Sequence, residues 1–384
     1  MTTLAILALL VWLYLLLAHG RFWHSGPELA PARPTTAAPV TAVVPARDEA
    51  PVIAETLGSL LRQDYAGALR IIVVDDGSRD GTGNIARDLQ EPPLPPAGEV
   101  GAERRERVVL DGKPRPPGWS GKLWALVQGI DEAGTGEFIL LTDADIAHDP
   151  RHVATLVAQA ERHDLDLVSE MVALACDTPA ERALVPAFVY FFQLLYPFRW
   201  VNDPLRATAA AAGGTILIRQ RALRRIGGIE AVRGALIDDV ALATAVKRGG
   251  RVWLGHSALA RSIRSYPSAA DIWRMVSRTA YVQLGCSPLL LAGTVAGMAL
   301  TFLAPPLAAL FGHGAAGWLG WLTWGGMAAS YQPTLHRYRR SVLWAPFLPI
   351  VAAFYAAATI GSAVNHYRGR GVAWKGRAYQ GLGA

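Results

Sequence analysis

Phe138-Ile139-Leu140-Leu141-Thr142-Asp143-Ala144-Asp145 is the stretch on which the fold turns. Its first five residues read as a buried strand, so the two carboxylates emerge at the strand's C-terminal edge, where open α/β sheets bind ligands. Hard oxygen ligands in that place suit Mg²⁺ or Mn²⁺ holding a diphosphate. A lone Asp-x-Asp reads as readily as a solvated turn. The surrounding sequence decides between the two.

Outward from this run, residues 40–283 alternate strand and helix signals. Strands are expected at Val40–Val44, Leu69–Val74, Val108–Leu110 and Phe138–Leu141, with helices at Glu49–Arg62, Thr82–Leu89 and Lys122–Asp131. Strands separated by helices argue for an α/β domain with a mostly parallel sheet. Glu91–Val100, rich in Pro and Gly, reads as a loop or insertion.

The expected strand ends carry the polar residues. The first runs into Pro45-Ala46-Arg47-Asp48-Glu49 and the second into Asp75-Asp76-Gly77-Ser78. Small residues and glycines let a base and ribose approach the backbone, and an acid accepts from a uracil N3–H or a ribose hydroxyl. Alone, Asp76-Gly77-Ser78 is equally a turn leading to a helix cap. Lys122 opens a helix after Gly121, a place that suits an anion such as phosphate. As an isolated lysine it would be a solvated surface residue.

In order and spacing, Val44-Pro45-Ala46-Arg47-Asp48-Glu49, Val74-Asp75-Asp76-Gly77-Ser78, Ser120-Gly121-Lys122 and Thr142-Asp143-Ala144-Asp145 resemble the family 2 glycosyltransferases of GT-A fold. Phe192–Phe198, Ala209–Gly214 and Leu236-Ile237-Asp238-Asp239 further resemble the hopene-associated subgroup called HpnB, over nearly the whole chain. The resemblance implies a Rossmann-like GT-A catalytic domain in which Asp143 and Asp145 hold the metal and the nucleotide diphosphate. It also implies that Asp75 or Asp76 contacts the uracil or ribose, beside the backbone near Pro45, Ala46 and Glu49.

Asp238-Asp239 stands where the family has Glu-Asp, which implies Asp239 as the catalytic base. Inversion at a sugar carbon needs one carboxylate to take the acceptor hydroxyl's proton as it attacks opposite the leaving diphosphate. The metal stabilises charge on that leaving group. An acidic pair before Val240-Ala241-Leu242-Ala243 would also suit a helix N-terminus without any catalysis. The Gln-x-x-Arg-Trp element of membrane-bound relatives has its nearest counterpart in Trp273-Arg274-Met275-Val276-Ser277-Arg278-Thr279. Arg278 would take the arginine's place at the diphosphate. Met275 and Thr279 do not replace the Gln and Trp, which weakens any reading as a processive polysaccharide synthase.

The 384 residues are 52% hydrophobic and include 12 Trp, high for a soluble protein. After Asp271 there is no acidic residue, whereas nine basic ones follow; the first 271 residues carry 28 basic against 31 acidic. The net charge of +6 therefore belongs to the C-terminal part. Basic residues flanking apolar runs point to an anionic membrane surface and away from nucleic acid.

Leu4–Ala18, Pro288–Phe311, Trp318–Tyr331 and Val342–Ile360 are expected membrane spans. The chain then divides into an N-terminal transmembrane anchor (1–20), a Pro-rich linker (21–39), the GT-A domain (40–283), C-terminal transmembrane or re-entrant helices (284–361) and a basic tail (362–384). Ala18-His19-Gly20 offers a signal-cleavage spacing, but no positive region precedes the first run, and Arg21 and Arg33 follow it. An uncleaved anchor with a cytoplasmic catalytic domain in a bacterial-type inner membrane is expected. A fourth span would send the tail outside, so one C-terminal segment is expected to be re-entrant or interfacial.

Cys176 and Cys286 show no pairing or metal pattern and read as buried fillers. The spacing of His148, His152, His163 and His256 supports no closed metal site, with His256 the one to watch as an extra ligand. Ala183–Trp200, rich in aromatic residues, reads either as core or as an interfacial helix beside the active site. The expected function is metal-dependent transfer of a sugar from a nucleotide donor, with UDP favoured, to a membrane lipid such as a hopanoid. Transfer to polyprenyl phosphate, with Arg206 or Arg219 meeting the acceptor phosphate, and an inactive membrane scaffold are the alternatives.

Overall fold

The computed structural model describes residues 1–89, 105–235 and 237–368, with the backbone of two short strands at 373–374 and 377–378. The expected loop Glu91–Val100, Leu236 and the side chains of the basic tail beyond Arg368 lie outside the described residues.

Eight strands form one sheet: β1 (Val40–Ala46), β2 (Leu69–Asp75), β3 (Arg105–Asp111), β4 (Phe138–Thr142), β5 (Ile146–His148), β6 (Leu167–Ala173), β7 (Thr215–Arg219) and β8 (Val252–Ser262). Their order is β3-β2-β1-β4-β7-β6-β8-β5. The first four expected strands are all present, each longer than its apolar run because the ladder extends into flanking residues: Pro45 and Ala46 after β1, Asp75 after β2, Arg105–Arg107 before and Asp111 after β3, and Thr142 after β4. β1 to β4 pair in parallel, with Val40 opposite both Leu69 and Phe138.

The rest of the sheet corrects the mostly parallel expectation. β7 runs antiparallel to β4 and β6, and β5 antiparallel to β8, while β6 and β8 are parallel. β5 is reversed because the chain doubles back after β4 through the Asp143–Asp145 turn with no crossover helix, whereas β7 reverses after β6, beyond the helices Pro179–Leu195 and Phe198–Val201. The result is a mixed, GT-A-like sheet.

Helices cover both faces, and the period-two alternation of the central strands divides the core accordingly. Val43, Ile139 and Leu141 pack with Leu123, Leu126 and Val127 of the helix Gly121–Glu132 on one face. Ala42, Val44, Phe138 and Leu140 pack with Ile53, Leu57 and Leu60 of the helix Ile53–Leu61 on the other. β4 is buried along its whole length, as a strand covered on both faces must be. Its C-terminal carboxylates are therefore held on a rigid frame.

A helical layer stands against this domain. Its helices are Thr2–Leu17, Pro288–Met298 continued through Ala304–Phe311, Ala315–Arg337 and Leu348–Tyr367. Two stretches are long and apolar enough to cross a membrane, Pro288–Phe311 and Val342–Tyr367. The other two expected spans fall short of that standard. Thr2–Leu17 has 16 residues, a rise of about 24 Å against the roughly 30 Å of a hydrocarbon core. Trp318–Tyr331 lies inside the 23-residue helix Ala315–Arg337, whose C-terminal half carries Ser330, Gln332, Thr334, His336 and Arg337. The aromatic stretch Ala183–Trp200 is divided between the helix Pro179–Leu195 and the short helix Phe198–Val201; in the first, Leu184, Val185 and Tyr190 are buried and packed on Trp12, Tyr331 and Tyr355 of the helical layer. It is core between two layers.

Candidate active site

The carboxylates at the end of β4 are each held by a cation from a distant part of the chain. Lys122, in the first turn of its helix, places Nζ 2.7 Å from Asp143 Oδ1 and 3.9 Å from Asp238 Oδ2. The helix starts there because the Ser120 hydroxyl accepts from the Leu123 N–H, a cap contributing about 1 kcal/mol. Burial works against the Lys122 ammonium, but Asp143, Asp238 and Asp239 outweigh it and hold the proton on. Lys122 is thus no solvated lysine, and it stands where three acids meet.

Arg264 makes the second clamp. Its Nε donates to Asp145 Oδ2 at 2.6 Å and its NH2 nitrogen to both oxygens of Glu49, at 2.6 and 2.8 Å. One guanidinium thereby ties the end of β1 to the end of β4. Tyr266, two residues on, has its hydroxyl pKa raised, chiefly by burial, with Asp145 and Asp143 adding to the shift and Arg264 and Arg278 opposing it. Arg278 stands at the end of the helix Ala269–Ser277, near enough to Tyr266 to act on its hydroxyl.

Asp238 and Asp239 open the helix Asp238–Lys247. The Val240 N–H donates to Asp239 Oδ1 at 2.8 Å. Burial, reinforced by the neighbouring Asp238 charge, pushes the Asp239 carboxyl up to about 7, with Lys122 acting in the opposite direction. Gly213 leaves room beside them, since a Cβ there would sit 3.2 Å from Asp239 Oδ2 and 3.3 Å from Lys122 Nζ, a tight contact. Asp239, Lys122 and Gly213 line a crevice of about 20 Å³, room for about one water-sized group.

On the far side of β1 the expected nucleotide residues form a connected edge. Pro45 pairs with Val74 and Ala46 with Asp75 across the ladder. Asp75 Oδ1 accepts from the Ser78 N–H at 2.9 Å and from its hydroxyl at 2.5 Å. Asp76 is buried and pairs with Arg47. The Glu49 N–H donates to the Thr82 hydroxyl at 2.8 Å.

The donor set fits a hard divalent cation. Asp143 and Asp145 each give one oxygen to an internal cation, and the other oxygen of each has no hydrogen-bond partner among the described residues. No group of three or more His, Cys, Asp or Glu side chains is placed to hold a metal among the described residues. Mg²⁺ or Mn²⁺ would take two carboxylates here and complete its shell with diphosphate and water, as Mg²⁺ commonly does.

His256 is not part of this set. Its ring lies 5.0 Å from that of Phe198 and its Nε2 is 3.4 Å from Gln193 Oε1, and burial lowers its pKa to about 3. His148 and His152 are also buried, Nδ1 to Nδ1 at 2.8 Å, with His152 Nε2 2.5 Å from Glu170 and His148 Nε2 3.2 Å from the Thr142 hydroxyl. This chain props the end of β4 from below. Arg219, one of the two cations considered for an acceptor phosphate, is bound to Glu137 at 2.5 Å and covers Phe138. Both cysteines are free.

Residues 41–227 match the model of glycosyl transferase family 2. This stretch, just under half of the chain, is thus similar to that family, and the carboxylates above lie within it or just after it. It is 34% identical over 128 residues to an N-acetylglucosaminyltransferase of Bradyrhizobium elkanii, covering 33% of this chain and 62% of that one. A Rhizobium leguminosarum bv. viciae N-acetylglucosaminyltransferase is also 34% identical, over 30% of this chain and 24% of its own length. The chain therefore spans less than two thirds of the length of these curated relatives. Among solved structures, the Pyrobaculum calidifontis mannosyltransferase PcManGT, in complex with GDP-Man and Mn²⁺, superimposes with a TM-score of 0.57 at 21% identity. That similarity covers 95% of this chain and 98% of the other, and it supports the fold over nearly the full length.

Arg264, Tyr266 and Gly213 were not singled out from the sequence. Gly213 lies within the quoted Ala209–Gly214 stretch, which was its only signal. Arg264 follows a strand in an arginine-rich segment and looks no different from Arg261.

Proposed function

We propose that the chain is a membrane-bound, inverting glycosyltransferase that moves a sugar from a nucleotide-sugar donor to the hydroxyl of a membrane lipid. The observation that carries the reading is Asp239: a carboxylate raised to about 7, on a small crevice shared with Lys122, beside the acids at the end of β4. Its ionised form takes the acceptor's proton, the acceptor oxygen forms a bond to the anomeric carbon, and the bond to the donor phosphate breaks with its electrons leaving on the nucleoside diphosphate. Asp143 and Asp145 would hold a divalent metal, which when bound would stabilise charge on that diphosphate. Lys122, Arg264 and Arg278 supply further positive charge, and Pro45, Ala46, Glu49, Asp75 and Asp76 line the nucleoside's place.

The named relatives favour a nucleotide-sugar donor, and we take the donor to be UDP-linked. Two apolar helices long enough to span, and Leu4, Leu7, Leu10, Leu13, Leu289, Leu310, Trp318 and Ile350 exposed around the helical layer, support the membrane setting. With it we propose a multi-pass arrangement in an inner membrane, the catalytic domain cytoplasmic and Thr2–Leu17 packed on the other helices of the layer through Trp12. A lipid acceptor fits that setting, with a hopanoid as one member of the class.

Transfer and donor hydrolysis by Asp239→Asn and Asp145→Ala protein test the assignment. Asp239→Asn should lose about 10²–10⁴-fold in transfer rate with donor affinity kept, and Asp145→Ala should lose donor affinity. Unchanged activity in both would remove Asp239 and Asp145 from the chemistry and sink this assignment, whereas a parent protein with neither transfer nor hydrolysis would leave the inactive scaffold. Mass spectrometry of lipids from cells with and without the protein tests the acceptor: no altered glycolipid would sink the lipid class.

A further inference from the structure

Two adjoining cavities lie where the chain leaves the helix Thr2–Leu17 and meets the segment after the helix Pro179–Leu195. The larger, about 610 Å³, is lined by Arg21, Arg199 and Asp203 with Phe22 and Phe198. The smaller, about 290 Å³, shares Arg21, Arg199 and Asp203 and adds Leu17, Trp200 and Arg206. Arg21, Arg199 and Arg206 thus line one cavity that holds a single carboxylate, Asp203. None of the three forms an ion pair among the described residues, and Arg206 lies 5.4 Å from the centre of the Trp200 ring.

The groove is built from both sides. His19 Nε2 sits 2.8 Å from the Leu194 carbonyl oxygen, and its ring stands edge-on to Trp200 at 4.7 Å. Gly20 (φ 60°) presses against Pro197, whose Cβ would lie 2.6 Å from any Cβ at position 20. Arg21 takes a left-handed backbone (φ 51°) as a non-glycine, a conformation that costs about 1 kcal/mol or more. On the other side Lys247 Nζ donates to the carbonyls of Trp200, Val201 and Thr208 at 3.0, 2.5 and 2.6 Å, fastening the loop that carries Arg206.

Its surroundings indicate what such a groove would meet. Leu17, which lines the smaller cavity, is 76% exposed, and Leu205, between the lining residues Pro204 and Arg206, and Leu195, next to the Leu194 that meets His19, are 92% and 60% exposed, so apolar side chains flank the groove. Lys247 ends the ten-residue helix that begins at Asp238, so the groove lies at the far end of that helix from the candidate base. The two sites share no residue. Guanidinium forks match phosphate oxygens, and an arginine cluster with an apolar rim suits a charged headgroup at the bilayer surface.

We propose that this groove holds the phosphate headgroup of an anionic membrane lipid, with Arg21, Arg199 and Arg206 as its cations and Leu17, Leu195 and Leu205 beside its acyl chains. The inference rests on the membrane-bound reading and adds a lipid site separate from the catalytic one. Such a lipid would fix the depth at which the catalytic domain sits.

The test is native mass spectrometry of the full chain in detergent, titrated with phosphatidylglycerol and with phosphatidylcholine. Phosphatidylglycerol should bind roughly tenfold or more tightly, and Arg21→Gln/Arg199→Gln/Arg206→Gln protein should lose most of that preference. The single Arg206→Gln variant, changed at an exposed side chain, should lose part of it should the triple variant fail to fold. Equal binding of the two lipids, or a preference that survives in these variants, overturns the proposal. Displacement of the lipid by equimolar inorganic phosphate would also overturn it, marking a free-phosphate site. Flotation with neutral vesicles separates the two readings: protein that floats but shows no lipid preference loses only this proposal, whereas protein that fails to float loses the membrane reading as well.

Discussion

Asp239 is suited to be a base because its surroundings oppose each other: burial and Asp238 raise its pKa, and Lys122 restrains the rise. A carboxyl raised to about 7 is protonated below that pH and ionised above it, so transfer should increase with pH through about 7. Lys122→Met removes the restraining ammonium, and the rising limb should move to higher pH. A pH–rate profile on both proteins measures this; a limb at the same pH in the variant would mean that another group is the base. At this scale the acids were legible because Asp143-Ala144-Asp145 and Asp238-Asp239 sit at recognisable element ends. Arg264 was not. Arg261 and Arg264 stand three apart in one basic segment, and only the fold sends Arg261 to Glu55 and Arg264 to Asp145 and Glu49.

Between elements, Glu181 does what no local pattern reveals. It completes the Thr178 capping box of the helix Pro179–Leu195, and it also accepts from the Tyr266 N–H at 2.6 Å and the Ser265 hydroxyl at 3.0 Å. Although burial alone would raise its pKa, these bonds and the cap N–H groups hold it down at about 2. The carboxylate thus fixes the segment from which Arg264 reaches Asp145. Glu181→Ala removes the cap and strands the Tyr266 N–H, which should cost roughly 2–4 kcal/mol. Donor affinity should fall with it, and Glu181→Gln should recover part of both, read by thermal unfolding and donor titration. Loss of stability without loss of donor affinity would show that the tie does not position Arg264. The capping box itself is visible in Thr178-Pro179-Ala180-Glu181, but its second task depends on a segment more than eighty residues away. Strand direction was hidden for a related reason. Alternating strand and helix signals locate β1 to β4, whereas the reversal after β4 is set by a three-residue turn whose polar residues read first as ligands.

Across the molecule, hydropathy outlined the helical layer better than it defined each span. It identified apolar runs, but not that Thr2–Leu17 packs on its neighbours through Trp12, whose Nε1 donates to the Thr301 carbonyl at 2.7 Å inside the π-turn Ala299–Leu303. Nor did it show how closely the helices approach. A Cβ at Gly320 would lie 2.3 Å from the Ala309 nitrogen and 2.6 Å from the Ala308 carbonyl carbon, and one at Gly317 would lie 2.8 Å from the Gly312 oxygen. These partners are backbone atoms, so no side-chain rotation relieves the clash, and close approach through small residues is how apolar helices associate in lipid. Gly320→Leu should therefore separate Ala304–Phe311 from Ala315–Arg337 and destabilise the detergent-solubilised protein by roughly 3 kcal/mol. The strands bearing Asp143 and Asp145 pack in other clusters, so donor affinity of the folded variant should match the parent's. Thermal unfolding in detergent and donor titration at low temperature measure the two halves of this expectation. An unchanged midpoint would mean that the helices do not meet at Gly320, and a loss of donor affinity would mean that the helical layer and the donor site are one mechanical unit.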